Sequence, residues 1–389
     1  MADFVPIAEP LLDPEDAQRV QECIQSGWIS SKGPYLEEFE RRWADYCGMR
    51  YGIAVSSGTA ALQVALACLN LTAGDEVILP SFTIISCVLA VLSQGATPVL
   101  VDCDPETWCL DASLVEAAST PRTRAIMPVH IYGHPADMDP LLELAAQHNL
   151  TVIEDAAEAH GAEYQSARSS EAAAWRRCGG IGDTSAFSFY ANKLVTTGEG
   201  GMMLTNRDDY SARARSYRDL GFRSDRRFYH TELGQNFRMT SLQAALGIGQ
   251  IKRMDRIIAR KRWMAQAYRE RLHGLDWLQL PAERAWAHSS YWMYGMVLRE
   301  DTGMDAAGFA QYLRAEGVDA RPFFLGMHEQ PALHARGLFV GDKHPVTERL
   351  SRRGILLPSG LALTEEQIDR VCLAVRQAGS RSRPSGQRH

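Results

Sequence analysis

Short apolar runs alternate with amphipathic segments from Tyr51 onward, and this alternation limits the possible folds more than any other feature of the chain. Runs of strand length occupy 51–55, 76–79, 98–101, 126–129 and 151–153, and helical spacing fills 59–69, 84–92 and 139–148. A helix from Pro14 toward Gly27, with Asp13 as its N-cap, precedes them. Strands that alternate with helices predict an α/β fold whose mostly parallel central sheet carries helices on both faces.

The pattern changes after Gly201, which indicates a second structural unit. One long helix is predicted at 241–271, followed by strands at 292–298 and 354–357 and helices at 305–316 and 364–377. We therefore predict a large domain at 1–250, a smaller α+β domain at 251–378 and a disordered tail at 379–389. Residues 165–178 are predicted to form a surface insertion. Six arginines between 213 and 227 form either a solvated face or a basic rim that attracts a nucleotide diphosphate.

Composition argues against several classes of protein. The net charge of −6 disfavours nucleic acid as the main partner, because duplex binding usually requires a basic face. No apolar run approaches the ~18 residues of a membrane span, and the first ten residues lack the features of a signal peptide. The cysteines form no CxxC pair and the histidines no HxxxH pair, so we expect free thiols, no metal site and a cytoplasmic protein.

One lysine stands out in the segment SAFSFYANKLVTTGEGGM, which covers residues 185–202. Lys193 has a serine five residues before it and a GEGG sequence shortly after it. A lysine that binds pyridoxal phosphate (PLP) must be fixed in place, and nearby groups must hold the phosphate. Ser188 offers a hydroxyl, and the glycines permit tight turning of the backbone. Taken alone, the segment is more typical of a surface lysine in a glycine-rich turn.

Two further segments supply what such a lysine needs. Asp155 ends an apolar strand, where ligands bind in open α/β sheets, and it could pair with a protonated pyridine nitrogen or simply cap the next helix. The sequence SSGTAAL at 56–62 follows a strand and begins a helix, which is the geometry of an anion site, and Thr59 adds a hydroxyl. An ordinary capped helix start is the alternative. Together, the three segments favour a PLP site.

The chain also resembles the DegT/DnrJ/EryC1/StrS family of sugar aminotransferases, which have PLP fold type I, over about residues 5–375. The resemblance lies in SGWISSKGPYLEEFE (26–40), SSGTAAL (56–62), PSFT (80–83), EDAAEAHGA (154–162), SFYANKLVTTGEGGM (188–202), GQNFRMTSLQAALG (234–247) and RPFFLGMHEQPA (321–332).

The resemblance implies a role for each residue of the site. Lys193 would carry the PLP cofactor and move protons between cofactor and substrate. Asp155 would pair with the pyridine nitrogen, and Glu158 would lie near the cofactor oxygen and the amino donor. The phosphate would be held by Gly58, Thr59, Ala60 and Ser188.

The resemblance also implies a homodimer with shared active sites. Either Asn236 or Arg238 of a neighbouring subunit would reach the phosphate. The family usually has an aromatic residue stacked on the PLP ring after PSFT, whereas this chain has Ile84. The insertion at 165–178 also exceeds the common family length.

Candidate substrate residues lie at both ends of the chain. Trp28, Ser30 and Lys32 lie in a segment that the family uses near a sugar nucleotide, although Trp28 could belong to the core and Lys32 to the solvated surface. Arg321 could pair with a diphosphate or a carboxylate. His328 could line the same cleft or be a buried structural histidine.

The implied reaction is transfer of an amino group from L-glutamate to a nucleotide-linked keto sugar. A dehydratase branch of the family replaces the lysine with histidine, so Lys193 favours transamination. The stretches SFYANK, TTGEGGM and RPFF are most similar to the branch that makes GDP-perosamine, a 4-amino-4,6-dideoxy sugar of lipopolysaccharide O-antigen. The alternatives are amination of a keto-deoxy-octulosonate at C8, a PLP-dependent sugar dehydratase and a regulatory homologue without turnover.

Overall fold

A seven-stranded sheet forms the centre of the molecule in the computed structural model, which describes residues 4–168, 174–223 and 225–382. Its strand order is β1-β9-β8-β5-β4-β2-β3, and β9 alone runs antiparallel to its neighbours. The strands are β1 (Tyr51–Val55), β2 (Glu76–Pro80), β3 (Thr97–Val101), β4 (Thr123–Ile126), β5 (Thr151–Asp155), β8 (Thr184–Ser188) and β9 (Gly201–Thr205). The sequence correctly predicts a mostly parallel α/β sheet.

The remaining strands of the described residues form two smaller sheets. A four-stranded antiparallel sheet has the order β10-β12-β14-β13, and a three-stranded sheet has the order β11-β6-β7. Their strands are β6 (Glu163–Gln165), β7 (Trp175–Arg177), β10 (Leu278–Gln279), β11 (Ala287–His288), β12 (Tyr294–Leu298), β13 (Arg321–Pro322) and β14 (Gly354–Leu357). Strand β6 ends where the predicted insertion at 165–178 begins and β7 lies within it, and residues 169–173 of the insertion lie outside the described part.

Helices connect and cover the strands. They are α1 (Pro14–Ser26), α2 (Pro34–Cys47), α3 (Gly58–Ala67), α4 (Ile85–Ser93), α5 (Ala112–Ala118), α6 (Met138–His148), α7 (Asp208–Arg218), α8 (Ser241–Ile251), α9 (Met254–Leu272), α10 (Ala306–Ala315), α11 (Pro331–His334), α12 (Pro345–Arg353) and α13 (Glu365–Ser382). One hydrophobic core surrounds the large sheet, and a second lies among α9, α10, α13 and the four-stranded sheet.

The domain division at 250/251 stays a prediction. No helix of the described residues is long and apolar enough to cross a membrane.

Several predicted element bounds were wrong. The helix expected at 241–271 is two helices, which part where Arg253 binds Asp13 and Asp16 at the start of α1. The strand expected at 126–129 lies at Thr123–Ile126, because its first residues are polar and give no apolar signal. Helix α13 continues to Ser382, into the region predicted to be disordered, and 383–389 lie outside the described residues.

Lys261 is an unusual member of the interior. Its side chain is fully buried in α9, and its Nζ donates to the carbonyl oxygens of Trp292 (2.9 Å) and Ser359. No carboxylate in the described part of the chain forms an ion pair with it. Burial lowers the pKa of Lys261 from 10.5 to about 7, because the ammonium form loses its hydration.

This shift predicts a pH dependence of stability. Between pH 7 and 10 the unfolded chain binds a proton at Lys261 that the folded chain lacks, so the free energy of unfolding should rise with pH. From pH 7 to 9 the gain should be about 2 kcal/mol, at ~1.4 kcal/mol per pKa unit. Urea unfolding of wild type and Lys261→Met at both pH values should show this increment only in wild type. Lys252→Met, which changes a lysine paired with Glu15 at the surface, should keep it. An equal pH dependence in Lys261→Met would contradict the assignment.

Candidate active site

Parallel strands bring the predicted site residues to one edge of the large sheet. Strands β1, β5 and β8 run in the same direction, so the residues that follow them meet at their carboxyl ends. A cavity of about 360 Å³ opens there. Of the predicted residues, it is lined by Gly58, Thr59, Ile84, Asp155, Glu158, Ser188, Lys193 and Arg321.

Lys193 lies in a turn after β8, where its backbone N–H donates to the Tyr190 carbonyl oxygen (2.9 Å). Its side chain is 10% exposed, and its Nζ lies 3.7 Å from Oε1 of Glu158 and 3.4 Å from the ring centroid of Trp292. Burial lowers the pKa of Lys193, and the nearby charges of Glu158 and Asp155 oppose that shift. A lower pKa makes the neutral, nucleophilic amine easier to form.

Glu158 is the acidic partner of this lysine. Its Oε2 accepts a hydrogen bond from the backbone N–H of Tyr132 (2.8 Å), which fixes the side chain beside Lys193. Burial raises the pKa of Glu158, while the Lys193 charge lowers it. The two side chains therefore form a buried pair between which a proton can be shared.

Asp155 is held at the cavity wall by two donors. Its Oδ2 accepts from the Cys87 thiol (3.0 Å), and its Oδ1 accepts from the backbone N–H of Ala157 (3.1 Å). Burial and the Asp155 charge raise the pKa of Cys87 well above its ordinary value, so the thiol keeps its proton and donates. The remaining lone pairs of the carboxylate can accept from a protonated ring nitrogen, with an attraction of roughly 4 kcal/mol at 4 Å and an effective dielectric near 20.

The start of α3 has the geometry expected of the predicted anion site. Ser57 caps the helix, and the backbone N–H groups of Gly58 and Thr59 have no acceptor within the helix. A Cβ at Gly58 would lie 2.7 Å from Cβ of Ser188, so only glycine lets the helix start approach the end of β8. The Thr59 and Ser86 hydroxyls lie 2.8 Å apart. The N–H of Ala60 donates to Ser57 Oγ, so it is already engaged and is a weaker candidate than the other two amides.

These residues fit PLP. The helix start and the hydroxyls of Thr59, Ser86 and Ser188 suit a phosphate, Asp155 suits a pyridinium nitrogen, and Lys193 suits an aldehyde carbon. Ile84, which is 43% exposed, and Ala157 also line the cavity, so aliphatic groups are available to contact the ring.

The remaining predicted residues lie elsewhere in the single chain. Trp28, Ser30 and Lys32 are exposed near the start of α2, and Asn236 is exposed beside Asp219. Arg238 pairs with Asp219, and Lys32 and Arg238 line a second, surface pocket. None of these five lines the central cavity.

His328 is a buried residue outside the cavity. It is 3% exposed, its Nδ1 lies 2.7 Å from Ser81 Oγ, and its Nε2 lies 3.6 Å from Oε1 of Glu348. The structure therefore favours the second of the two interpretations, a structural histidine.

Several cavity residues were missed in the sequence. Trp292 covers Lys193 from a position 99 residues further along the chain, and no local motif marks it. Ala157 lies in the stretch at 154–162, and Ser86 lies in the helix predicted at 84–92. Their roles could not be recognised, because they depend on neighbours across the cavity. Glu199 belongs to the GEGG stretch, in which the sequence argument considered only the glycines.

Known proteins are similar to this chain in sequence and in fold. The profile of the DegT/DnrJ/EryC1/StrS aminotransferase family matches residues 10–376. The chain is 42% identical to the GDP-perosamine synthase of Caulobacter vibrioides and 38% identical to that of Escherichia coli O157:H7, and each alignment covers 96% of this chain and 98% of the relative. The crystal structure of DesI in the presence of its TDP-sugar product matches with a TM-score of 0.87 and 33% identity, over 98% of this chain and 94% of that one.

Lys193 should be the single attachment point of the cofactor. Borohydride reduction of the wild-type protein with PLP should add one reduced cofactor to the peptide that contains Lys193, because this amine is buried beside Asp155 and the anion site. Lys193→Ala should abolish the adduct in peptide mass spectrometry, whereas Lys252→Ala should retain it. An adduct of undiminished yield in Lys193→Ala would show that another lysine carries the cofactor.

Proposed function

The chain belongs to the DegT/DnrJ/EryC1/StrS aminotransferase family, and from that premise we propose that it aminates a nucleotide-linked keto sugar with L-glutamate as donor. Membership makes PLP the cofactor. The buried Lys193 beside Glu158 and Asp155 carries the proposal, because transamination needs an amine that can bind the cofactor and also move a proton.

The substrate class is supported by the relatives. Two of them are GDP-perosamine synthases, and DesI has a TDP-sugar product. We propose a 4-keto-6-deoxy sugar on GDP as the acceptor and a 4-amino-4,6-dideoxy sugar as the product. Such a product fits a role in surface polysaccharide, including lipopolysaccharide O-antigen, made by a homodimer in the cytoplasm.

PLP, when bound, supplies an electron sink for the carbon that carries the amine. The protein residues do the rest. Lys193, as the neutral amine, would take a proton from the substrate carbon that carries the amine and hold it at Nζ for return to the cofactor, so one group would act as base and then as acid. Glu158 lies within 3.7 Å and keeps this proton close. Asp155 holds its charge at the ring nitrogen, and Trp292 covers the lysine and limits access of water.

Three alternatives make different predictions about products. A PLP-dependent sugar dehydratase would not convert glutamate to 2-oxoglutarate, and a regulatory homologue would bind ligand without turnover. An enzyme that aminates a keto-deoxy-octulosonate at C8 would accept a sugar acid instead of a sugar nucleotide. Retention of Lys193 favours transamination over the first two.

A substrate screen tests the proposal. Purified protein with PLP and glutamate should convert GDP-4-keto-6-deoxymannose to an amino sugar nucleotide and release an equal amount of 2-oxoglutarate. Mass spectrometry of a panel of GDP- and TDP-linked keto sugars and a keto-deoxy-octulosonate would identify the acceptor. Lys193→Ala should form neither product. Sugar conversion without 2-oxoglutarate would refute the proposed reaction.

Arg321 should contribute to substrate binding. It is exposed at the cavity and has no ion-pair partner among the described residues, so its guanidinium is free to bind an anionic group. Arg321→Gln should raise KM for the substrate it binds by about 10- to 100-fold, which corresponds to a charged hydrogen bond of ~1.5–3 kcal/mol. A rise for the sugar nucleotide would indicate a diphosphate contact, and a rise for glutamate a carboxylate contact. Arg314→Gln, in a surface pair with Asp319, is the matched control. Unchanged KM for both substrates would exclude Arg321 from the site.

A further inference from the structure

Lys261 occupies a site with three acceptors and no carboxylate. Its Nζ lies 2.9 Å from the Trp292 carbonyl oxygen, within hydrogen-bond distance of the Ser359 carbonyl oxygen, and 3.7 Å from the Met264 sulfur. An ammonium group has three N–H donors, and the site offers one acceptor for each. The arrangement therefore suits the protonated form, although burial disfavours it.

The charged groups on the elements around Lys261 are engaged elsewhere. On α9 itself, Arg260 donates to the carbonyl oxygens of Leu361 and Leu363, and Arg262 pairs with Glu283. The Tyr268 hydroxyl donates to the Pro358 carbonyl oxygen. Burial is the one cause that lowers the pKa of Lys261 to about 7, and no nearby charge opposes it. A fully buried lysine without a counter-ion is costly, and ionisable groups with such perturbed pKa values cluster at functional sites.

Trp292 connects this lysine to the active site. Its carbonyl oxygen accepts from Lys261, while its indole N–H donates to the Asn192 carbonyl oxygen (2.8 Å), one residue before Lys193. The face of the same indole lies 3.4 Å from Nζ of Lys193. Ser359, the other acceptor of Lys261, also accepts at its Oγ from the backbone N–H of Tyr294, at the start of β12. Lys261 thus connects the backbone carbonyl of Trp292 with that of Ser359, which in turn binds the backbone at Tyr294. The segment that carries Trp292 is therefore held at two points.

We propose that Lys261 is a positioning residue that holds the Trp292 indole against the amine of Lys193. Its role is indirect, because it does not line the central cavity. If the carbonyl contacts are lost, the segment at 291–294 loosens and Trp292 no longer covers Lys193. The amine of Lys193 then becomes more accessible to solvent, and the orientation of its side chain is no longer fixed. The inference rests on the proposed reaction only for its kinetic consequences, whereas the packing of Lys193 can be tested without turnover.

The first test uses cofactor-free, full-length protein. Reductive methylation with formaldehyde and borane, followed by peptide mass spectrometry, reports how fast Lys193 reacts. Lys261→Met should raise the labelling rate of Lys193 several-fold, since the indole no longer shields the amine. Lys252→Met should match wild type. Circular dichroism and gel filtration establish that each variant is folded. An unchanged labelling rate in folded Lys261→Met would overturn the proposal.

A double-mutant cycle separates positioning from general loosening. Trp292→Leu should raise Lys193 labelling by itself, and Lys261→Met should add little in that background, because both changes remove the same cover. Equal effects of Lys261→Met with and without Trp292 would mean that Lys261 acts by another route, and the proposal would fail. This cycle gives its answer even if the keto-sugar substrate proves wrong.

The kinetic test uses the holoenzyme and glutamate alone. Lys261→Met should slow the first half-reaction by about 10- to 100-fold at saturating glutamate, as expected for a misplaced catalytic group, with little change in the half-saturating concentration. Lys261→Arg keeps a charge that does not titrate, so it should restore much of the rate, and it should lack the decline above neutral pH that loss of the Lys261 proton is expected to cause in wild type. A rate in Lys261→Met equal to wild type, or a decline with pH that persists in Lys261→Arg, would contradict the positioning role.

Discussion

The close approach of strand β9 to the start of α3 is the constraint on which the site depends. Strand β9 begins at Gly201, directly after the segment of Lys193, and runs antiparallel between β1 and β8. A Cβ at Gly201 would lie 2.2 Å from the Ser57 carbonyl oxygen, so only glycine permits this contact. Lys193 and Thr59, which are 134 residues apart in sequence, are therefore brought together by backbone packing. The side chains of the cavity are then placed by the strand ends and by the turns and helix starts that follow them.

Burial sets the chemistry of the cavity once the backbone has placed it. Removal of water lowers the pKa of Lys193 and raises that of Glu158, so each group is driven toward its neutral form, while their attraction favours the charged pair. These opposing effects reduce the cost of moving a proton between them. Cys87 differs, because burial and Asp155 both raise its pKa and make it a fixed donor. The same low polarity thus leaves the proton between Lys193 and Glu158 mobile and keeps the proton on the Cys87 thiol.

Local signals in the sequence predict the parts of the fold that depend on neighbours along the chain. Asp155 at a strand end and the small residues before α3 could be recognised because strand, turn and helix start are adjacent there. The partners of His328 and Lys261 could not, since Ser81 lies 247 residues from His328, and Lys261 binds carbonyl oxygens that any residue supplies. The arginine run shows the same limit. Arg215 and Arg218 bind the buried Glu40 and the carbonyl oxygens of β1, whereas Arg223, Arg226 and Arg227 are exposed, so the run is a solvated face only in its second half.

The charges of the cavity also bear on assembly. Its charged lining in the described part of the chain consists of three carboxylates and two cations, namely Asp155, Glu158, Glu199, Lys193 and Arg321. With Asp155 at a ring nitrogen and Lys193 at the cofactor carbon, as proposed, one arginine would be left to face the phosphate of PLP and the diphosphate of a sugar nucleotide. The dipole of α3 offsets only part of this, at roughly half an elementary charge. Lys32, Arg215, Arg218 and Arg238 line a separate surface pocket. The arginines of that pocket already pair with Glu40 or Asp219. A second copy of the chain that brings a further cation to the cavity would correct the deficit, and this need supports the proposal of a homodimer with shared active sites.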